Sequence, residues 1–333
     1  MSGPHQRDGE LNDHTGLRSH LDLGIGIAVS TLFFIGVALI PAGGTGVIVF
    51  LPLPTLLFYA KLGRWRGMSV CFVSLAATAV ILLAASRPLD LMPVLVIASL
   101  TGLVLGELTG RRVDFVRTLA IGSAVLALLS FALLLAESLR TGIAPWHIVA
   151  THLSDSLREN LKLYAELDLP PEQVAIIRDN APQFLRFLLA IFPSVAAAGI
   201  VLSVWANLLA ARFLLRRREA SALGDPDLSR WKAPEGLIWL LIIGGGLTLV
   251  PHEWAKIAGV NVLILCGFVY LLQGLAIMGF LFRMKRVPAW LRFLFYALLV
   301  LQQYLLLIVA AFGMFDLWVD FRRFIKPRDD PSL

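Results

Sequence analysis

Apolar stretches close to the 20 residues that a helix needs to cross a bilayer recur along this chain, separated by short charged turns. Lipid offers no partner for backbone N–H and C=O groups, so such stretches fold as helices that satisfy their own backbone. The runs are apolar all round, whereas a membrane β-barrel strand alternates lipid-facing and lumen-facing residues. The sequence therefore predicts an all-α, polytopic helical membrane protein. With 58% hydrophobic and 16% charged residues, it lies well outside the composition of a water-soluble domain.

The spans read as Leu21–Ile40, Val47–Ala60, Met68–Ala85, Leu89–Gly106, Phe115–Ala136, Phe184–Leu215, Leu237–Val250, Ile257–Phe282 and Ala289–Phe312. The seventh is short enough to be re-entrant, so about 8–9 transmembrane helices are expected. The second carries Pro52 and Pro54, which free backbone carbonyls. It reads either as a bent packing helix or as a broken helix lining a cavity. The first run is expected to stay as a membrane anchor, because no small-residue cleavage site follows it.

The net charge of +6 does not point to nucleic acid, since Arg and Lys sit in the turns: Lys61, Arg64 and Arg66; Arg111 and Arg112; Arg216, Arg217 and Arg218; Arg283, Lys285 and Arg286. Placing residues 1–20 as a polar tail in the cytoplasm puts these turns on the cytoplasmic side of a bacterial inner membrane. The insert at 137–183 then faces outward, residues 216–236 form a basic cytoplasmic loop, 237–314 hold the C-terminal spans, and 315–333 form a charged interfacial tail. In the insert, Trp146, Val149, Leu153, Leu157, Leu161 and Tyr164 make one apolar helical stripe, which suits the bilayer interface or a lid. Leu169-Pro170-Pro171-Glu172 ends that helix and starts a second short one.

Polar residues within spans are few: Asn207, Asn261, Gln273, Gln302 and Gln303. Each reads as an interhelical hydrogen bond, or, with Tyr270, as part of a ligand site of Asn207, Asn261, Tyr270 and Gln273. Small-residue steps at Gly24/Ala28, Gly26/Ser30 and Gly102/Gly106/Gly110 signal close helix packing or a docking face for another membrane subunit. Near the C-terminus, Asp316 and Asp320 stack at i, i+4, with Arg322 and Arg323 beside them. This group reads as an interfacial anchor or a functional tail.

Signatures of catalysis are missing. There is no GxxxxGK[ST] loop, no HExxH and no Gly-x-Ser-x-Gly. The six histidines have no ligand spacing, and Cys71 and Cys266 sit in apolar runs. No catalytic residue, metal or cofactor is expected, and the chain does not read as an enzyme.

Trp231 with Pro234, Asn261 leading to Tyr270-Leu271-Leu272-Gln273-Gly274-Leu275-Ala276, and the ending Phe312-Gly313-Met314-Phe315-Asp316-Leu317-Trp318-Val319-Asp320-Phe321-Arg322 resemble the YybS-like bacterial membrane proteins. In addition, Leu51-Pro52-Leu53-Pro54 through Leu62-Gly63-Arg64-Trp65-Arg66-Gly67 is similar to the second-span region of the S-components of energy-coupling-factor vitamin transporters. That resemblance implies a six-helix core at 21–215 with an outer loop covering a small-molecule ligand. It also implies that a small-residue ridge on the first span docks an energising membrane subunit, and that the chain has no ATPase of its own. The long insert and the three segments after residue 215 depart from the S-component plan. The alternative is a non-transporting scaffold for envelope proteins.

Overall fold

In a computed structural model the described residues are 4–39, 45–166, 171–215 and 231–319. They form twelve helices: α1 Pro4–Leu39, α2 Thr45–Ile48, α3 Leu53–Leu62, α4 Arg64–Ala84, α5 Met92–Gly110, α6 Phe115–Thr141, α7 Pro145–Glu166, α8 Pro171–Leu214, α9 Leu237–Leu249, α10 Glu253–Met284, α11 Ala289–Leu301 and α12 Gln303–Val319. The chain divides into two compact units. Unit 1 comprises residues 1–145 and 199–225, and unit 2 comprises 146–198 and 226–333, so α8 contributes to both.

Six helices among the described residues are long and apolar enough to cross a membrane: α1 from His20, α4, α5, α6, α8 from Asp179, and α10. α11 and α12, bent by 107° at their break, make a seventh if they count as one span. The remaining expected spans, at Gly46–Leu62 and Leu237–Leu249, form shorter apolar helices, which accounts for the difference from eight or nine. Their shortness has a local cause in the first case. Pro52 caps the start of α3 and Pro54 lies in its first turn, where a missing N–H costs nothing.

Unit 1 is organised around α3, which contacts α1, α4 and α5. Its apolar core joins Phe34, Val37, Leu51, Cys71, Leu75, Leu95 and Ala98. Gly102 and Gly106 of α5 face α3 closely: a Cβ on Gly102 would lie 2.5 Å from Pro52 O, and one on Gly106 2.5 Å from the Tyr59 ring. Gly26 abuts Phe58 and Val70, and Ser30 is buried. Gly24 and Gly110 meet nothing within 4 Å. Of the ridges expected from sequence, part packs inside the unit and part faces outward. The apolar faces of Leu32, Val80, Leu128 and Phe131 are exposed, as a lipid-facing surface requires. Asp114 caps α6 by accepting from the Arg117 N–H at 3.0 Å, and Gly142 ends it in the left-handed conformation.

In the insert, α7 matches the expected amphipathic helix, with Ile148 and Val149 buried and Trp146 set edge-on to Phe192. The expected separate short helix after Pro170 does not form. From Pro171 the chain runs through Pro182 and Pro193 as one 44-residue helix. A proline removes one ladder bond, and a helix survives that loss where a neighbour serves the freed groups.

In unit 2, α10 packs against both α9 and α12. Both contacts run over paired glycines. A Cβ on Gly259 would sit 2.6 Å from Gly244 O, while one on Gly274 or Gly313 would collide with the carbonyl of Val309 or Tyr270. Backbone meets backbone here, the closest approach two helices can make. Gly274→Ala should therefore lower stability in detergent by about 1–3 kcal/mol, because the obstructing atom is backbone and cannot turn away. Gly246→Ala, where the Cβ meets nothing within 4 Å, should not. Thermal unfolding of the two variants checks this.

Candidate functional site

Three hydrogen-bonded constellations gather Asn207, Asn261 and Gln273, whereas Gln302 and Gln303, expected to bond between helices, are exposed at the break between α11 and α12. The first lies in unit 2. Tyr270, Gln273 and Gly274 are neighbours on one face of α10, all buried, and Asp316 of α12 is fully buried beside them. Gln273 Nε2 donates to Asp316 Oδ2 at 3.1 Å, and its Oε1 accepts the Ala233 N–H at 3.1 Å. One amide thus joins α10, α12 and the segment before α9. Ala233, Cys266 and Tyr270 form the apolar side of this junction, with Trp231, Leu237, Val262 and Met314 against them. The Gly274–Gly313 crossing brings the backbones near enough for the short Asp316 side chain to reach Gln273.

Asp316 is thereby an interior residue of α12, not part of an interfacial tail, while Trp318 is exposed two positions on. Asp320, Arg322 and Arg323 lie outside the described residues.

The second constellation repairs α8 at Pro193. Asn261 Nδ2 donates to Ala190 O at 2.7 Å and to Ile257 O at 2.9 Å, while its Oδ1 accepts the Ser194 N–H at 3.1 Å. Ala190 O and Ser194 N–H are the pair that an unbroken helix would join directly. The Asn261 amide is inserted between them, one position past the proline.

The third is in unit 1, at the break before α3. Val49 O accepts from Ser203 Oγ at 2.8 Å and from Asn207 Nδ2 at 2.7 Å, the latter also donating to Ser203 O at 2.7 Å. Asn207 Oδ1 and Tyr270 Oη are buried without a hydrogen-bond partner among the described residues. Asn207 belongs to unit 1, and Asn261, Tyr270 and Gln273 to unit 2.

The sequence reading passed over a fourth group, at the end of α5. Tyr59 Oη donates to Glu107 Oε2, Arg111 Nε donates to Glu107 Oε1 at 2.8 Å, and Arg64 Nη1 stands 3.7 Å from the same oxygen. The i, i+4 spacing of Glu107 and Arg111 was a usable signal. Tyr59 gave none, because it reads as one more aromatic of an apolar run. Among the described residues, no three or more His, Cys, Asp or Glu gather as metal ligands would.

Buried amides and a buried carboxylate joining apolar helices define a polytopic helical membrane protein held together by interior hydrogen bonds. A family model described as "Predicted membrane protein (DUF2232)" matches residues 28–317, so the chain belongs to that family. No curated protein and no solved structure matches it.

The Gln273–Asp316 bond should show in a double-mutant cycle with Gln273→Leu and Asp316→Leu. A coupling of about 1 kcal/mol in unfolding free energy is expected, the size of interhelical hydrogen bonds in membranes. Asn261→Leu should speed hydrogen exchange of the Ser194 amide by at least about tenfold, since about 1.4 kcal/mol of lost protection is a factor of ten. Unchanged exchange would mean that α8 closes its own ladder there.

Proposed function

We propose that the chain is a substrate-binding or transport component of the bacterial inner membrane, with its N-terminus in the cytoplasm and no ATPase or catalytic activity of its own. It works by docking an energising membrane subunit. The observation that carries this is how α1 uses its two small-residue pairs. Gly26 and Ser30 are consumed by packing inside unit 1, against Phe58 and Val70 in the case of Gly26. Gly24 and Ala28 are exposed on the outer side, where with His20, Leu21 and Ile25 they line an open apolar groove. This is the span on which the similarity to S-components puts the docking ridge.

Two further observations support the reading. Unit 1 gathers α1 to α6 with the last part of α8, which covers the expected core at 21–215 apart from residues 146–198. Asn207 Oδ1 in unit 1 and Tyr270 Oη in unit 2, each buried without a hydrogen-bond partner among the described residues, are the candidate atoms for a small-molecule ligand, each within its own unit.

A second reading, a scaffold for envelope proteins, draws on a different observation. The amide groups of Asn261 and Gln273 are engaged by protein partners, and Phe34, Leu51 and Leu95 belong to the apolar core of unit 1.

Purification of the tagged full chain from native membranes, with stoichiometric partners identified by mass spectrometry, separates the two. A membrane subunit with its ATPases is the expected result; envelope proteins without ATPases would replace it with the scaffold. Gly24→Leu combined with Ala28→Leu should cut recovery of the partner at least tenfold with membrane insertion unchanged. Gly36→Leu, on an exposed part of α1 with open space around it, should leave recovery intact. Full recovery with the double variant would remove α1 as the docking face.

A further inference from the structure

The polar group at the end of α5 lines a cavity of about 310 Å³ bounded by Tyr59, Gly63, Arg64, Glu107, Gly110 and Arg111, among others. Three properties suit it to a phosphate. First, two guanidiniums face one carboxylate, so the cavity keeps an excess of positive charge. Glu107 is an acceptor in this cavity and opposes an anion, but it is already held by Tyr59 and by Arg111 Nε. That bond uses Arg111 Nε, and the Nη groups of the same guanidinium are further donors outside it. Second, the two arginine side chains are 60% and 67% exposed, free to close over a headgroup. Third, Arg64 and Arg66 occupy the first turn of α4, which has no acidic residue and no side-chain cap. Cations there oppose the helix dipole, and a bound anion relieves both the dipole and the arginines.

The location decides which phosphate. The cavity lies where α4 begins and α5 ends, at the ends of two helices long and apolar enough to cross a membrane, where lipid head groups would be met. Trp65 beside it is 78% exposed, as befits an interfacial aromatic. Lys61, Arg66 and Arg112 extend the basic surface of the same turns. We propose that this cavity holds the phosphodiester headgroup of an anionic phospholipid, gripped by Arg64 and Arg111.

The test is native mass spectrometry of the full chain in detergent. It is titrated with palmitoyl-oleoyl phosphatidylglycerol, with the phosphatidylcholine of the same chains, and with inorganic phosphate. Phosphatidylglycerol should bind at least tenfold more tightly than phosphatidylcholine, and Arg64→Gln with Arg111→Gln should erase that preference. Arg117→Gln, which breaks an exposed pair with Asp114 outside the cavity, should keep it. Equal binding of the two lipids by the unaltered chain overturns the proposal without recourse to any variant. So does a preference that the double variant retains within twofold. Displacement of phosphatidylglycerol by millimolar inorganic phosphate would assign the cavity to the free ion and overturn the lipid.

Discussion

The constraint on which this structure rests is that a backbone carbonyl or N–H freed inside a membrane has no water to turn to. Two of the breaks among the described residues are met by a polar side chain delivered from another helix. Ser203 and Asn207 answer at Val49, and Asn261 answers at Ala190 and Ser194. Apolar packing alone would select neither pairing, because lipid tails are as apolar as Leu. The hydrogen bonds supply the register that packing leaves undetermined, and the paired glycines of α9, α10 and α12 then set how closely the backbones approach.

The two units apply this rule differently. In unit 1 the broken segment is central, and α3 sits among α1, α4 and α5 with its proline-rich start tied to α8. In unit 2 the central helix α10 is unbroken, and its amides reach outward, Asn261 to α8 and Gln273 to α12 and Ala233. Asp316 is the one carboxylate drawn wholly inside the described part of unit 2, and it arrives with a hydrogen-bond donor. Pairing of that kind is what makes an ionisable group tolerable at such depth.

Much of this was legible in the sequence, and the limits have physical causes. Helical class and the positions of the apolar segments follow from composition and length. Asn207, Asn261 and Gln273 stand out because amides are costly in lipid. Their partners do not stand out: the contacts lie 158 positions away for Asn207, and 43 for Gln273 with Asp316. Gly274 and Gly313 escape a ridge search because each is a single glycine pairing with another helix, not part of a repeat along its own. The start of α8 was readable from Pro170-Pro171, but its continuity was not, because whether Pro182 and Pro193 break a helix depends on what lies next to it. Tyr59 and Glu107 form a pair only once α3 and α5 are side by side.

The splint at Pro193 bears on how the chain is made. α8 is synthesised before α10, and the groups that Asn261 bridges lie 67 and 71 positions upstream of it. A ribosome delivers helices in order, so α8 is made before the side chain that bridges Ala190 and Ser194 exists. Those two bonds are thus made late, by a helix that follows α8 in the chain. They belong to the α8–α10 pair and are absent from either segment alone.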